Sequence, residues 1–431
     1  MNNSLCSDIC CGKYNDIFKK LYCVDNSGID IYRNRAFLTA DHFSKEYGVN
    51  NDYEPKLFSS PGRLELTGNH SDHQGGIVLT GTVNLDILAC ASENGTDTIN
   101  IISKGYDNIS LSSHDTALYE SEKNSASSLV RGMIKAITDK GYSVNGFNMY
   151  AVSDVPGGLG MSSSAAFEML IGVIINTFFC NNELTNEDIA YAGMYAEREY
   201  FGKPCGLMDQ MACISGGINT FDFRDAVKPK VNSISYNFEK AGMDIIVTDT
   251  GTDHADLSDE FNAIPHEMTS VAKVLGGERL CDIREDDFYL NIPYLRKKTG
   301  DRAVMRAMHW YDEVKRVKEQ GEFLSEGDIS LFLNNVNTSG YSSFMYLQNI
   351  DNYKDPAYEP VALCLAYAHH ILKGKGAVRV QGGGFAGSII AFVPAEISSD
   401  YIKKMDTMLE TGACRKVKIR PVGASELVKA L

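Results

Sequence analysis

Apolar residues recur at helical spacing from Tyr14 to Cys23 and from Asn34 to Tyr47 in an otherwise polar stretch, which predicts a helical N-terminal extension over residues 1–57. The period then shortens. Lys56 to Ser60 is strand-like, Arg63–Leu66 and Ile77–Thr80 read as strands around a polar, turn-rich segment, and a meander follows over Ile77–Ala91 and Thr98–Ser103. A helix is expected near Ser125–Lys140, a β-rich strand over Gly146–Ser153, and helices over Ala165–Phe179 and Asn186–Tyr200. Met243–Thr250 predicts a further strand. Beyond Ser258 helical patterns take over, at Glu260–Leu275, Arg302–Glu319, Ile329–Asn337 and Pro360–Leu372, and this shift predicts a second domain. The expected organisation is an extension at 1–57, a domain at 58–242 and another at 243–431.

Composition narrows the function classes. With 44% hydrophobic residues in 431, the chain can bury a sizeable core. A net charge of −15, from 41 basic and 56 acidic residues, argues against a footprint for nucleic acid or an anionic membrane, so an anionic ligand must be held by local groups. No apolar run is long enough to span a bilayer, and the first residues lack the basic and apolar regions of a secretory leader, which makes the cytoplasm the expected location. Eleven cysteines, an odd number scattered from Cys6 to Cys414, predict reduced thiols. Cys6, Cys10 and Cys11 have helical spacing but no neighbouring His or second Cys pair to complete a tetrahedral metal site.

Four segments carry candidate chemistry. Pro156, Gly157, Gly158, Gly160, Ser162, Ser163 and Ser164 lie between the strand at 146–153 and the helix at 165–179. Glycines allow close backbone approach and a helix N-terminus offers N–H groups, so the run reads as a phosphate cradle; the plainer alternative is a Gly-rich turn with a serine cap. It is not a Walker A loop, because G-x-x-x-x-G-K-[ST] is absent. Second, Arg63, Asn69, His70, Asp72 and His73 put donors and acceptors within eleven residues, as a hydroxyl-rich ligand needs; a solvated loop is the alternative. Third, Glu197 precedes Gly202–Gln210, which contains Asp209; the plainer roles of the two are a partner for Lys203 and an acid at a helix N-terminus. Fourth, Gly382-x-Gly384-x-x-Gly387 satisfies the dinucleotide pattern literally, but Ser388–Val393 is β-rich, so a loop between antiparallel strands fits better than a Rossmann turn.

In their order along the chain the four segments resemble the GHMP small-molecule kinases, and among them the galactokinase family. Gly62 to Gly76 is similar to that family's Gly-Arg-Val-Asn-Leu-Ile-Gly-Glu-His-Thr-Asp-Tyr-x-x-Gly; 156–166 to Pro-x-Gly-x-Gly-Leu/Met-Ser-Ser-Ser-Ala-Ala; 202–210 to Gly-x-Pro-Cys-Gly-x-Met-Asp-Gln; and Arg379 to Ser388 to Arg-Met-Thr-Gly-x-Gly-Phe-Gly-Gly-Cys. The chain departs at Asn69 for a family Glu, His73 and Phe261 for family Tyr residues, Tyr200 for a Phe and Ala386 for a Gly. The resemblance implies an α+β fold in two lobes, the N-terminal one like the second domain of ribosomal protein S5 and the C-terminal one ferredoxin-like. It implies ATP and Mg²⁺, with Ser163 and Glu197 on the metal, Asp209 and Arg63 in catalysis, the 156–164 loop with Gly383 and Gly384 at the phosphates, and Asn69, His70, Asp72 and Phe261 at the sugar. The implied activity is phosphorylation of the C1 hydroxyl of D-galactose, by a monomer or weak homo-oligomer with small-molecule partners only. The departures keep open another sugar, such as an N-acetylhexosamine, a pentose or a uronic acid; a non-catalytic sugar sensor on the same fold is the other alternative.

Overall fold

The computed structural model describes residues 4–48, 52–203, 205–225, 228–251, 258–351 and 355–429. Three helices come first, α1 (Ser4–Cys10), α2 (Asn15–Tyr22) and α3 (Ile29–Tyr47). Then follow β1 (Lys56–Thr67), β2 (Ile77–Glu93), β3 (Thr98–Ser103), β4 (Ile109–Ser112), α4 (Ala126–Asp139), β5 (Phe147–Ser153), α5 (Ser163–Phe179), α6 (Asn186–Tyr195), α7 (Met208–Ser215), β6 (Ile218–Asp222) and β7 (Lys230–Ile234). The remainder comprises β8 (Met243–Asp249), α8 (Ser258–Val274), α9 (Glu285–Leu290), α10 (Ile292–Thr299), α11 (Asp301–Glu326), α12 (Ile329–Ser342), α13 (Pro360–Leu372), β9 (Ala377–Gln381), β10 (Ser388–Pro394), α14 (Ser398–Met408), β11 (Cys414–Val417) and β12 (Ser425–Glu426). No helix among the described residues is long and apolar enough to cross a membrane.

Strand pairing gives an eight-stranded sheet along β12-β1-β2-β5-β3-β4, with β6 on β2 and β7 on β6, and a four-stranded sheet in the order β11-β8-β10-β9. The fold is α+β, as expected. Pairing does not follow chain order to the end: β12 returns to β1, so the last described strand adds to the first sheet.

Three elements differ from the sequence reading. β1 runs unbroken through Pro61 and Gly62, because the register shifts between Pro61 and Arg63 and the Arg63 N–H bonds Met161 O at 3.1 Å instead of the ladder. The helix expected to end at Tyr200 leaves the α-form at Tyr195 and widens into a π-turn over Ala196–Phe201. Such turns recur at functional sites, and this one holds Glu197.

The N-terminal helices are also more than a lead-in. Ile9, Phe18, Leu21 and Phe43 share a buried cluster with Leu57, Leu88, Cys90 and Leu427, so the extension covers one face of the large sheet. A charged centre ties it down. Asp86, with no solvent exposure, accepts from Arg35 (2.5 Å), Tyr22 (3.0 Å) and Ser59, and pairs with the buried Arg420 at 3.3 Å. Burial pushes the Asp86 carboxyl up, but Arg35 and Arg420 outweigh that and hold it below its ordinary value. Asp86→Ala is therefore expected to cost about 3–5 kcal/mol, since two guanidinium groups lose their anion. Chemical denaturation measures this, and Asp86→Asn should cost less.

Candidate active site

The loop at 156–162 crosses from β5 to α5 with its tip open: Gly157 and Gly158 are exposed and nothing lies within 4 Å of a Cβ placed on either. Its base is pinned. Ser388 donates to Leu159 O at 2.8 Å, Gln381 to Gly160 O at 3.3 Å, and Arg63 also donates to Gly160 O. Ser162 is the N-cap of α5 yet makes no side-chain cap, because its hydroxyl donates to Asp209 Oδ2. The first-turn N–H groups of α5 therefore lack a side-chain acceptor, as an anion site requires.

Arg63 and Asp209 meet as an ion pair, Nε to Oδ1 at 2.8 Å and Nη2 to the same oxygen at 2.6 Å. Burial raises the Asp209 carboxyl, but Arg63, Lys203 and the Ser162 hydroxyl more than reverse that, leaving it below its ordinary value and ionised. Sitting in the first turn of α7, it also occupies the plainer position foreseen for it.

Glu197 is 1% exposed. One oxygen accepts from Ser164 at 3.1 Å and Lys203 at 2.9 Å, the other from Gln210 at 2.9 Å. The serine placed on this carboxylate is thus Ser164, while Ser163, expected there, opens α5 one residue earlier; the helical turn from Ser163 to Ser164 rotates the two hydroxyls apart. Among the described residues no group of three or more His, Cys, Asp or Glu could form a closed metal cage. One carboxylate beside one hydroxyl, next to a Gly- and Ser-rich loop, is a donor set that suits Mg²⁺, which takes few protein oxygens.

Between these groups lies a cavity of about 540 Å³, lined by Arg63, Glu65, Asn69, His70, Asp72, His73, Arg198, Lys203, Asp209, Phe261, Gly382 and Gly383 among others. His70 donates through Nε2 to Gly383 O at 2.8 Å, and Phe261 stands edge-on to it at 5.2 Å. Phe261 also lies so close to Gly383 that a Cβ there would sit 2.0 Å from the ring, so Gly383 serves the His70 and Phe261 wall of the cavity. Gly384, at φ +82°, packs against Asn349 O, 2.2 Å from where a Cβ would fall. The 156–164 loop meets this segment through the Gln381 and Ser388 side chains, with Gly160 also beside Gly382. Burial lowers His70 to about 4 and His73 to about 3, so both rings are neutral. Burial, with the charges of Asp209 and Glu65, raises Asp72 to about 6 against the His73 backbone N–H.

Asn69 takes a different part from the one its position suggested. It has no solvent exposure, and its Nδ2 donates to Glu65 Oε1 (2.9 Å) and Gly382 O (2.6 Å) while its Oδ1 accepts from Asn349 (2.6 Å) and Ser343 (3.3 Å). The amide is fully engaged within the protein. Sequence reasoning also missed Glu65 and Arg379, which form a buried pair at 3.1 Å. An arginine inside the apolar strand Ala377–Gln381 was the available signal, since it must find a carboxylate.

Residues 128–217 match the profile of the GHMP kinases N terminal domain, and residues 41–93 match the galactokinase galactose-binding signature. Both matches are to sequences of GHMP kinases. The chain's curated relatives include the galactokinase of Clostridium tetani, 29% identical over 371 residues (84% of this chain, 89% of the relative), and that of Bacillus subtilis, 26% identical over 361 residues (81% and 88%). In fold this chain is similar to Lactococcus lactis galactokinase complexed with galactose, with a TM-score of 0.77 at 21% identity, covering 91% of this chain and 100% of that one. A mevalonate kinase structure aligns at 0.59 over 86% of this chain and 99% of the other, at 15% identity.

Gly206 offers a test of the cavity. A Cβ there would lie 1.6 Å from Asp72 Oδ2, so Gly206→Ala must displace that carboxylate. The expected outcome is unchanged far-UV circular dichroism with kcat/KM lowered on the order of 100-fold.

Proposed function

We propose that this protein transfers the γ-phosphoryl of ATP to the C1 hydroxyl of D-galactose, in a cleft between a lobe at 58–242 and one at 243–431. The observation that carries the reading is the Arg63–Asp209 pair, which joins the cavity matched by the galactose-binding signature to the open helix N-terminus of the phosphate loop. Asp209, kept ionised by Arg63, accepts the proton of the C1 hydroxyl or orients it toward phosphorus. Arg63, shared between Asp209 and Gly160 O, stabilises charge on the transferring group. The α5 N-terminus and the glycines of the loop bind the triphosphate. Glu197 and Ser164 would hold Mg²⁺, which supplies charge neutralisation at the phosphates when bound. His70 and Asp72 fix sugar hydroxyls, and the Phe261 ring offers an apolar wall without a hydroxyl.

A coupled ADP-release assay with a panel of sugars tests this. Turnover of galactose above N-acetylhexosamines, pentoses and uronic acids is expected, and Asp209→Asn should lower kcat about 10²- to 10⁴-fold while leaving the protein folded. Preference for another sugar would overturn the assignment of galactose, and absence of turnover with every sugar would favour a sensor.

The Asp72 carboxyl predicts the pH profile. Protonation weakens it as an acceptor and turns one oxygen into a donor, so kcat/KM for the sugar should fall as pH drops below about 6, whereas kcat should hold, because Asp209 stays ionised there. Unfolding does not explain such a loss. Asp72's folded value is raised, so its own contribution to stability is present at low pH and is lost as pH rises through about 6. Initial rates and thermal melts across the same buffers separate the two.

A further inference from the structure

The cavity contains a carboxylate that the mechanism above does not use. Arg63 and Glu65 are two apart on β1, in regular register with Thr82 and Thr80 of β2, so both side chains leave the same face of the strand and both line the cavity. Glu65 is 2% exposed. Its Oε1 is doubly held, by Asn69 Nδ2 at 2.9 Å and Arg379 Nη2 at 3.1 Å. Its Oε2 makes no hydrogen bond among the described residues. Arg379 is itself anchored to Leu66 O at 3.1 Å, and Asn69 to Gly382 O and Asn349, so the carboxylate is fixed from two sides with one oxygen left over. Against the signature quoted above, which reads Asn at this position and Glu four residues on, the amide and the carboxylate have changed places. The pair survives as a hydrogen bond and its charge has moved to the strand.

We propose that Glu65 is a specificity-determining residue of the sugar site: its Oε2 accepts a hydrogen bond from one hydroxyl of the sugar, with Asn69 and Arg379 as positioning residues that hold the other oxygen. An ionised carboxylate can only accept, so this corner selects a neutral sugar with a free hydroxyl there and rejects one that lacks it or offers only an acceptor. The proposal rests on the sugar-kinase reading above and adds the group that reads the sugar.

The test compares wild type with Glu65→Gln on galactose and its four mono-deoxy analogues (2-, 3-, 4- and 6-deoxy), by steady-state kinetics and by titration calorimetry. The variant should raise KM for galactose about tenfold or more, with kcat within about threefold and KM for ATP unchanged. One deoxy sugar that wild type handles poorly should lose most of its disadvantage in the variant. A purely structural role would leave every deoxy ratio at its wild-type value, and that result overturns the proposal. Glu65→Asp, which keeps the charge that Arg379 requires but retracts it, gives the same comparison if the first variant fails to fold. Wild-type protein that binds galactose without phosphorylating it would overturn the kinase reading while calorimetry still decides the role of Glu65. Failure to bind any sugar would overturn both.

Discussion

The contact between Arg63 and Asp209 constrains more of this molecule than any other single pair. Arg63 sits on β1 and Asp209 on the first turn of α7, and each also bonds the 156–162 loop, through Gly160 O and Ser162. Strand, loop and helix are thereby fixed to one another at a single point. Neither charge can be buried alone at tolerable cost, so the pair holds together only while all three elements are in place.

The other end of the cavity depends on the second sheet. His70 and Asn69 reach the carbonyls of Gly383 and Gly382, and Arg379 on β9 reaches back to Glu65 on β1. Glu313 on α11 accepts from the Gly68 N–H at 2.9 Å, and Trp310 donates to Ser71 O at 3.1 Å. The β1–β2 turn is therefore shaped by residues more than two hundred positions away, which explains why a segment dense in charged groups is buried.

Much of this was legible before any coordinates. The strand-to-helix crossing at 156–166, the strand at 243 and the helix from Pro360 to Leu372 follow from local periodicity, and the antiparallel surroundings of Gly382–Gly387 follow from the β-rich run after it. What stayed hidden was hydrogen-bond bookkeeping across distance. No periodicity tells that Ser162 forgoes its cap for Asp209, that Ser164 faces Glu197, or that Asn69 spends its amide on Glu65, Gly382, Ser343 and Asn349. The π-turn at 196–201 was hidden for a related reason: most of its residues are good helix formers, and it lies where Glu197 is held by Ser164, Lys203 and Gln210.

The return of the chain end to the first sheet bears on how the protein comes into being. Arg420 neutralises Asp86 beneath the N-terminal helices, and Ser425 and Glu426 pair with Ser59 and Phe58 on the strand that also carries Arg63. Until residue 420 has been added, Asp86 has Arg35, Tyr22 and Ser59 but not its second guanidinium, and β1 lacks its β12 neighbour. Both are completed by residues that follow the second sheet in sequence, so the first sheet is not finished until that part of the polypeptide has been made.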